Sequence, residues 1–197
     1  MKQLAREGVN LNAVGKFENT PLRVAVKLKQ KQIVRLLLQL GVSPNSRTPK
    51  GTVAAADDVV TEKDPEYLRI FLEFGLDPDL KSEGLPLIFF AVSRCNWQQY
   101  DMLLAKGADI DAKAPDGSSL LYNLVLQFEY DRAKALFEKG ADFTATNKFG
   151  SNVLEQLVDA QRRFCVEAGL PDCYKRAELL RLMRERGASV PSDLPYM

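Results

Sequence analysis

A short phrase returns along this chain at a nearly constant interval, and that interval restricts the fold more than any other feature. It reads G-V-N-L-N at Gly8, G-V-S-P-N at Gly41, G-L-D-P-D at Gly75, G-A-D-I-D at Gly107, G-A-D-F-T at Gly140 and G-A-S-V-P at Gly187. Successive glycines are 33, 34, 32, 33 and 47 residues apart. Each closes an apolar helical pattern such as Ile33-Val34-Arg35-Leu36-Leu37-Leu38. A helix end of this kind needs a residue with positive φ, which glycine supplies without steric cost. The next polar residue, Asn10, Ser43, Asp77, Asp109 or Asp142, can then hydrogen-bond the turning backbone. A period near 33 with this ending marks an array of helical repeats, each burying its apolar face against the next.

The units follow in order. Lys2–Arg6 reads as the last turns of a second helix whose first helix is absent, so either the first repeat is truncated or an upstream segment, such as a signal sequence, has been removed. Thr20-Pro21-Leu22 opens a helix with a capping threonine and proline at the first helical position, carrying Leu22, Val24, Ala25 and Val26; a second helix runs from about Gln30 to Leu40. The next unit has Val53-Ala54-Ala55-Ala56 as a small-residue first helix, a polar break at Thr61–Pro65, and a second helix at Tyr67–Phe74. The third opens at Gly84-Leu85-Pro86-Leu87 and resumes at about Gln98–Lys106. The fourth opens at Asp116-Gly117-Ser118-Ser119 and resumes at about Tyr130–Lys139. The fifth opens at Gly150-Ser151-Asn152, with a long first helix through Cys165, a stop near Gly169–Asp172 and a second helix from about Tyr174 to Arg186.

A turn glycine, T-P-L, a small-residue helix, a leucine-rich helix and G-A-D-x-N together resemble the ankyrin repeat. T-P-L is intact at Thr20-Pro21-Leu22, and Pro86-Leu87 is a partial copy. The histidine that usually follows T-P-L is missing; Arg23 holds that place in the first complete unit, and the chain has no histidine. The resemblance implies an all-α repeat solenoid with hairpin-like connectors, of about five units after a partial one. As a single domain over 1–197, it divides into a partial repeat at 1–12 and repeats at about 13–45, 46–79, 80–111, 112–144 and 145–191, the last with an insertion at about 158–176. The insertion reads as an atypical terminal cap, with a dedicated binding feature as the alternative.

The resemblance also implies that the chain works as a surface: connectors and first helices line a concave face on which side chains can vary without disturbing the stack. The connector tips are Lys16-Phe17-Glu18, Arg47-Thr48-Pro49-Lys50, Lys81-Ser82-Glu83, Lys113-Ala114-Pro115-Asp116 and Asn147-Lys148-Phe149. Each carries a lysine or arginine, so the tips are either solvated turns or, jointly, a basic row facing an acidic patch on a protein partner. Phe17 and Phe149 fall in turns, where a large ring lacks a core role. Candidate contacts are therefore Phe17, Arg47, Lys50, Lys81, Lys113, Asp116, Lys148 and Phe149. Phe89, Phe90, Tyr122 and Phe128 are expected in the core, and Trp97 is expected in the turn between the helices of the third unit, packed over the neighbouring turn, with an exposed anchor as the alternative. Arg162, Arg163, Arg176, Arg181, Arg184 and Arg186 read as a solvated basic helix face, or as a site for an acidic or phosphorylated partner.

Several classes of chemistry lack their residues. Without histidine there is no Ser-His-Asp or Cys-His arrangement and no imidazole ligand, so neither catalytic residues nor a metal site are expected. Every glycine belongs to a repeat or a turn, which leaves no phosphate loop and no cofactor. The recurring pairs Asp77/Asp79 and Asp109/Asp111 belong to helix exits rather than to an acid–base dyad. At 197 residues, 46% apolar and 27% charged, with a net charge of +1, the chain offers no electrostatic case for nucleic acid. No run approaches the length of about 18 apolar residues that a membrane span requires. Cys165 and Cys173 flank the insertion turn and Cys95 stands apart. Either all three are reduced in a cytoplasmic protein, or Cys165 and Cys173 form a disulfide in an oxidising compartment such as the periplasm, with a signal removed.

Two functions fit. The first is a non-enzymatic module, monomeric when free, that holds and inhibits one protein partner; in this it is similar to bacterial ankyrin proteins that act as immunity proteins against a toxic effector. The second is a structural or regulatory adaptor, or an assembly factor, for an enzyme or membrane complex.

Overall fold

The computed structural model describes residues 10–165 and 170–196. The helical reading of Lys2–Arg6, the return at Gly8 and the part of the insertion turn that includes Gly169 lie outside these residues. The chain divides into two compact units, Met1–Asp109 and Ile110–Met197. Among the described residues the α-helices come in five successive pairs.

In the first unit the pairs are α1 (Pro21–Lys27) with α2 (Lys31–Gln39), α3 (Ala56–Thr61) with α4 (Glu66–Glu73), and α5 (Leu87–Ser93) with α6 (Trp97–Ala105). The threonine cap forms as its sequence requires: Thr20 Oγ1 accepts the Arg23 amide at 3.1 Å, and Pro21 occupies the first turn. Val24 faces outward, so Leu22, Ala25 and Val26 form the buried side of α1. The second pair departs from expectation. Val53 is drawn into an antiparallel bridge with Arg47, the Ala54 amide donates to the Ser46 carbonyl at 2.8 Å, and the helix begins only at Ala56. Val53, Ala54 and Ala55 are nevertheless buried, packed under the connector rather than along a helix. The next connector is a hairpin, β1 (Lys81–Ser82) paired antiparallel with β2 (Leu85–Pro86), reversing through Glu83 and Gly84, both with positive φ. The core runs through Leu22, Val34, Leu37, Tyr67, Phe71, Leu87, Ile88 and Leu103.

The second unit holds α7 (Leu120–Leu126) with α8 (Tyr130–Glu138), and α9 (Val153–Phe164) with α10 (Pro171–Glu185). Ser119 caps α7 by accepting the Tyr122 amide, and Asn152 with Glu155 forms a capping box on α9. Pro171 pre-sets the first turn of α10, which therefore starts three residues before Tyr174, the expected start. Leu120, Leu121, Ala133, Leu136, Phe137, Leu157 and Leu180 fill this core.

The returning glycine does its work at Gly41. Its φ is +91°, the Val42 amide reaches back to the Leu37 carbonyl at 3.1 Å, and the Gly41 amide donates to the Leu38 carbonyl at 3.0 Å. A Cβ there meets nothing within 4 Å, so the cost of a side chain is conformational and not steric crowding. Gly41→Ala should lower stability by about 1–2 kcal/mol, read from the urea midpoint. The turns inside the pairs have the same shape without glycine: Lys29, Cys95 and Phe128 adopt φ of +57°, +54° and +62°.

Candidate protein-interaction surface

In the first unit the connector tips differ in how free they are. Phe17 lies in a short 3-10 turn, Lys16–Glu18, with φ of +59°, and is 90% exposed. It forms one wall of an open apolar groove of about 700 Å³ that also includes Val24, Leu28 and Ile33. Arg47 is exposed, but its guanidinium is engaged: Nη1 donates to the Gly51 carbonyl at 2.7 Å and Nη2 to the Lys81 carbonyl at 2.8 Å. It thereby ties its own turn to the next connector. Lys50 reaches Glu18 at 3.4 Å while remaining mostly in solvent. Glu18 is held below the ordinary carboxylate range, first by a hydrogen bond from Thr48 and then by Lys50, against the opposing effect of burial. Lys81 lies on β1 and is exposed.

In the second unit the tips are closed loops set against each other. Asp116 accepts the Ser118 amide at 2.9 Å and the Ser118 hydroxyl at 2.8 Å, and its carbonyl accepts the Lys148 amide at 2.8 Å. Gly117, with φ of +83°, lets the neighbouring loop approach; a Cβ there would meet Asn147 Cα at 3.4 Å. Asn147 Oδ1 accepts the amides of Phe149 and Ser151, fixing the backbone from which the Phe149 ring, 82% exposed, stands out. Lys113 and Lys148 are exposed; Asp116 is a turn-former as much as a surface charge.

The helix-exit carboxylates do a second job that their spacing within one repeat does not reveal. Asp77 accepts the Asp79 amide and Asp142 accepts the Thr144 amide, which are local turns. In three of the phrases the second polar residue reaches one repeat onward instead. Asn45 Oδ1 accepts the Asp77 amide at 2.8 Å and Asp79 Oδ1 accepts the Asp109 amide at 2.8 Å in the first unit. In the second unit Asp111 Oδ1 accepts the Asp142 amide at 2.7 Å. The recurrence of Asn or Asp four residues after the glycine at Asn45, Asp79 and Asp111 was the available signal.

These hydrogen bonds have a pH consequence. Asp142 is held below its ordinary value of 3.8, first by the Thr144 hydroxyl and then by the Thr144 amide; Asp116 is held below the same value by the Ser118 amide and hydroxyl. A carboxyl lowered in the folded state contributes stability that is complete above its unfolded value and lost as pH falls through the folded one. The urea midpoint should therefore drop as the pH is taken from about 5 to about 3, and Asp142→Asn should make the drop shallower.

Several expected placements are corrected. Phe128 is 60% exposed rather than in the core, because the left-handed turn swings its side chain outward; Phe89 and Tyr122 are buried and Phe90 half-buried. Trp97 is the first residue of α6, edge-on to Tyr100 at 6.0 Å, not part of the turn. Arg176 does not belong to a solvated face: it is 2% exposed, with Tyr130 and Gln161 as hydrogen-bond partners. Arg186 stacks over the Phe137 ring at 4.1 Å and donates to the Phe137 carbonyl. Cys165 and Cys173 are joined by a disulfide, and Cys95 is free and exposed. Among the described residues no helix is long and apolar enough to cross a membrane, and no group of three or more His, Cys, Asp or Glu gathers as a metal site.

Comparison with known proteins agrees with this architecture. The model of the ankyrin repeat family matches residues 17–49. The chain is 32% identical to the human B-cell lymphoma 3 protein over 110 residues, 53% of this chain and 24% of that protein. It thus spans about a quarter of the length of this curated relative. It is also similar to the solved ankyrin repeat domain of Bcl-3, described as a unique member of the IkappaB protein family. That likeness has a TM-score of 0.74 at 27% identity and covers 98% of this chain and 80% of that one.

Proposed function

From the premise that this chain is an ankyrin-repeat protein, we propose that it holds one protein partner through its connector tips and inhibits that partner without chemistry of its own. Ankyrin repeats are protein–protein interaction modules, and the observation that carries the finer reading is the pair of aromatic rings at the tips. Phe17 and Phe149 are 90% and 82% exposed on turns whose backbones are fixed by hydrogen bonds. A rigidly mounted exposed ring loses little entropy on binding and suits an anchor entering an apolar pocket. The neighbouring cations, Arg47, Lys50 and Lys81 in the first unit and Lys113 and Lys148 in the second, fit a partner whose pocket is rimmed by carboxylates, with Asp116 excluding the wrong register.

The narrower reading, an immunity protein neutralising a bacterial toxic effector, draws support from the Cys165–Cys173 disulfide, which suits an oxidising compartment such as the periplasm. An adaptor or regulatory role is the second reading, favoured by the likeness to Bcl-3.

The test is capture from the native source with wild-type chain and with Phe17→Ser and Phe149→Ser, followed by assay of the captured protein free and bound. We expect one stoichiometric partner whose activity is suppressed in the complex, and a loss of affinity of about 30-fold or more for at least one variant. Equal capture by all three chains would remove these contacts, and an unaltered partner activity would favour the adaptor.

A further inference from the structure

We propose that Cys165 and Cys173 form a thiol–disulfide exchange site whose reduced state keeps a Cys165 thiolate paired with the buried guanidinium of Arg176. Arg176 is 2% exposed, and among the described residues no carboxylate lies within ion-pair distance of it. Its contacts are neutral: Nε donates to Gln161 Oε1 at 3.2 Å, Nη1 donates to the Tyr130 hydroxyl at 2.9 Å, and Cζ lies 5.2 Å over the Tyr130 ring. Nη2 points at the sulfurs, 2.8 Å from Cys165 Sγ and 3.4 Å from Cys173 Sγ. A buried cation whose described neighbours are all neutral is poorly compensated, and a disulfide sulfur is a weak acceptor. A thiolate in the same place would neutralise the charge. The packing therefore stabilises the reduced pair relative to the oxidised one, which is how a protein makes a disulfide readily reducible.

The surroundings are consistent with that assignment. Cys173 is the third residue of α10, and the N-terminal end of this 15-residue helix favours the approach of an attacking thiolate to Cys173. A cleft of about 390 Å³ is lined by Phe128, Phe164, Leu170, Pro171, Asp172 and Arg176, and Phe164 and Asp172 are the chain neighbours of the two buried cysteines. Asp172 is the acidic group on this cleft and opposes the thiolate; Tyr130 is the titratable group contributed by α8. The other charged residues of α9 and α10 near the site are paired elsewhere: Arg162 with Asp193, Arg163 with Asp159, and Lys175 with Asp131.

In the exchange, one thiolate of a dithiol attacks Cys173 Sγ. A mixed disulfide forms, the Cys165–Cys173 bond breaks, and Cys165 leaves as a thiolate held by Arg176. The second thiol of the reagent then displaces Cys173, which takes up a proton. The dithiol loses two electrons and becomes a cyclic disulfide, and one proton passes to solvent.

The experiment needs only the intact chain. It is reduced with dithiothreitol under native conditions, alkylated with iodoacetamide across a pH series, and each cysteine is quantified by peptide mapping, with exposed Cys95 as the comparison in the same molecule. The midpoint for Cys165 should lie at least about one pH unit below that of Cys95. In parallel, the oxidised fraction is measured in dithiothreitol redox buffers for wild type, Arg176→Lys and Arg176→Gln, each checked by circular dichroism. Wild type and Arg176→Lys should be reduced about tenfold more readily than Arg176→Gln. A Cys165 midpoint equal to or above that of Cys95 overturns the proposal whether or not the variants fold, as does an unchanged redox equilibrium in a folded Arg176→Gln.

Discussion

Arg23→Ala should lower the unfolding free energy by about 2–3 kcal/mol at neutral pH. Arg23 stands where ankyrin repeats usually carry histidine. Its guanidinium crosses to the next repeat, with Nε 2.6 Å from Asp58 Oδ2 and Nη2 2.9 Å from Asp57 Oδ1. Its side chain is only 12% exposed, and the carboxylates are 24% and 26% exposed, so solvent screens the pair incompletely. Removing the cation leaves adjacent, partly desolvated carboxylates facing each other. Burial, opposed by Arg23, already raises Asp58 above its ordinary value of 3.8, and without Arg23 the rise grows. A carboxyl raised in the folded state favours the folded protein as pH falls, so the deficit of Arg23→Ala should shrink between about pH 7 and pH 4. A deficit independent of pH would mean that lost packing of the arginine stem, not charge, sets its size.

A larger loss, about 3–5 kcal/mol, is expected for Phe137→Ala. Phe137 is 1% exposed on α8, lies 5.6 Å from the Phe143 ring, and has Arg186 Cζ 4.1 Å from its ring centroid. Its deletion leaves a cavity and strips the Arg186 guanidinium of its aromatic surface. Hydrogen exchange should speed along α8 and α10 well beyond what the midpoint shift alone predicts for the first unit. Uniform acceleration across both units would show that the chain unfolds as one cooperative body.

What could be read beforehand follows the range of the forces involved. The period, the Thr20 cap and the glycine exits depend on residues within a few positions of each other, and pattern alone places them. The start of α3 could not be placed this way, because Val53 has helical neighbours in sequence but a bridge partner in Arg47 across the connector. Phe128 has core periodicity, yet one left-handed residue turns it to solvent. Arg176 looks like its exposed neighbours in sequence; its burial depends on Tyr130, 46 positions away. At the tips, the exposure of Phe17 and Phe149 follows from their turns. That Arg47 is tied down while Lys50 and Lys81 remain largely free does not, since its acceptors include a carbonyl 34 residues on.

The left-handed turns at Lys29, Cys95 and Phe128 divide the work of the sequence. They connect the two helices of a pair, whereas the tips connect one pair to the next. Replacing Lys29 with glycine or asparagine relaxes strain without altering any tip residue. Drift at these turns can therefore offset destabilising changes at the tips, and the proposed binding surface can vary without a matching loss of fold.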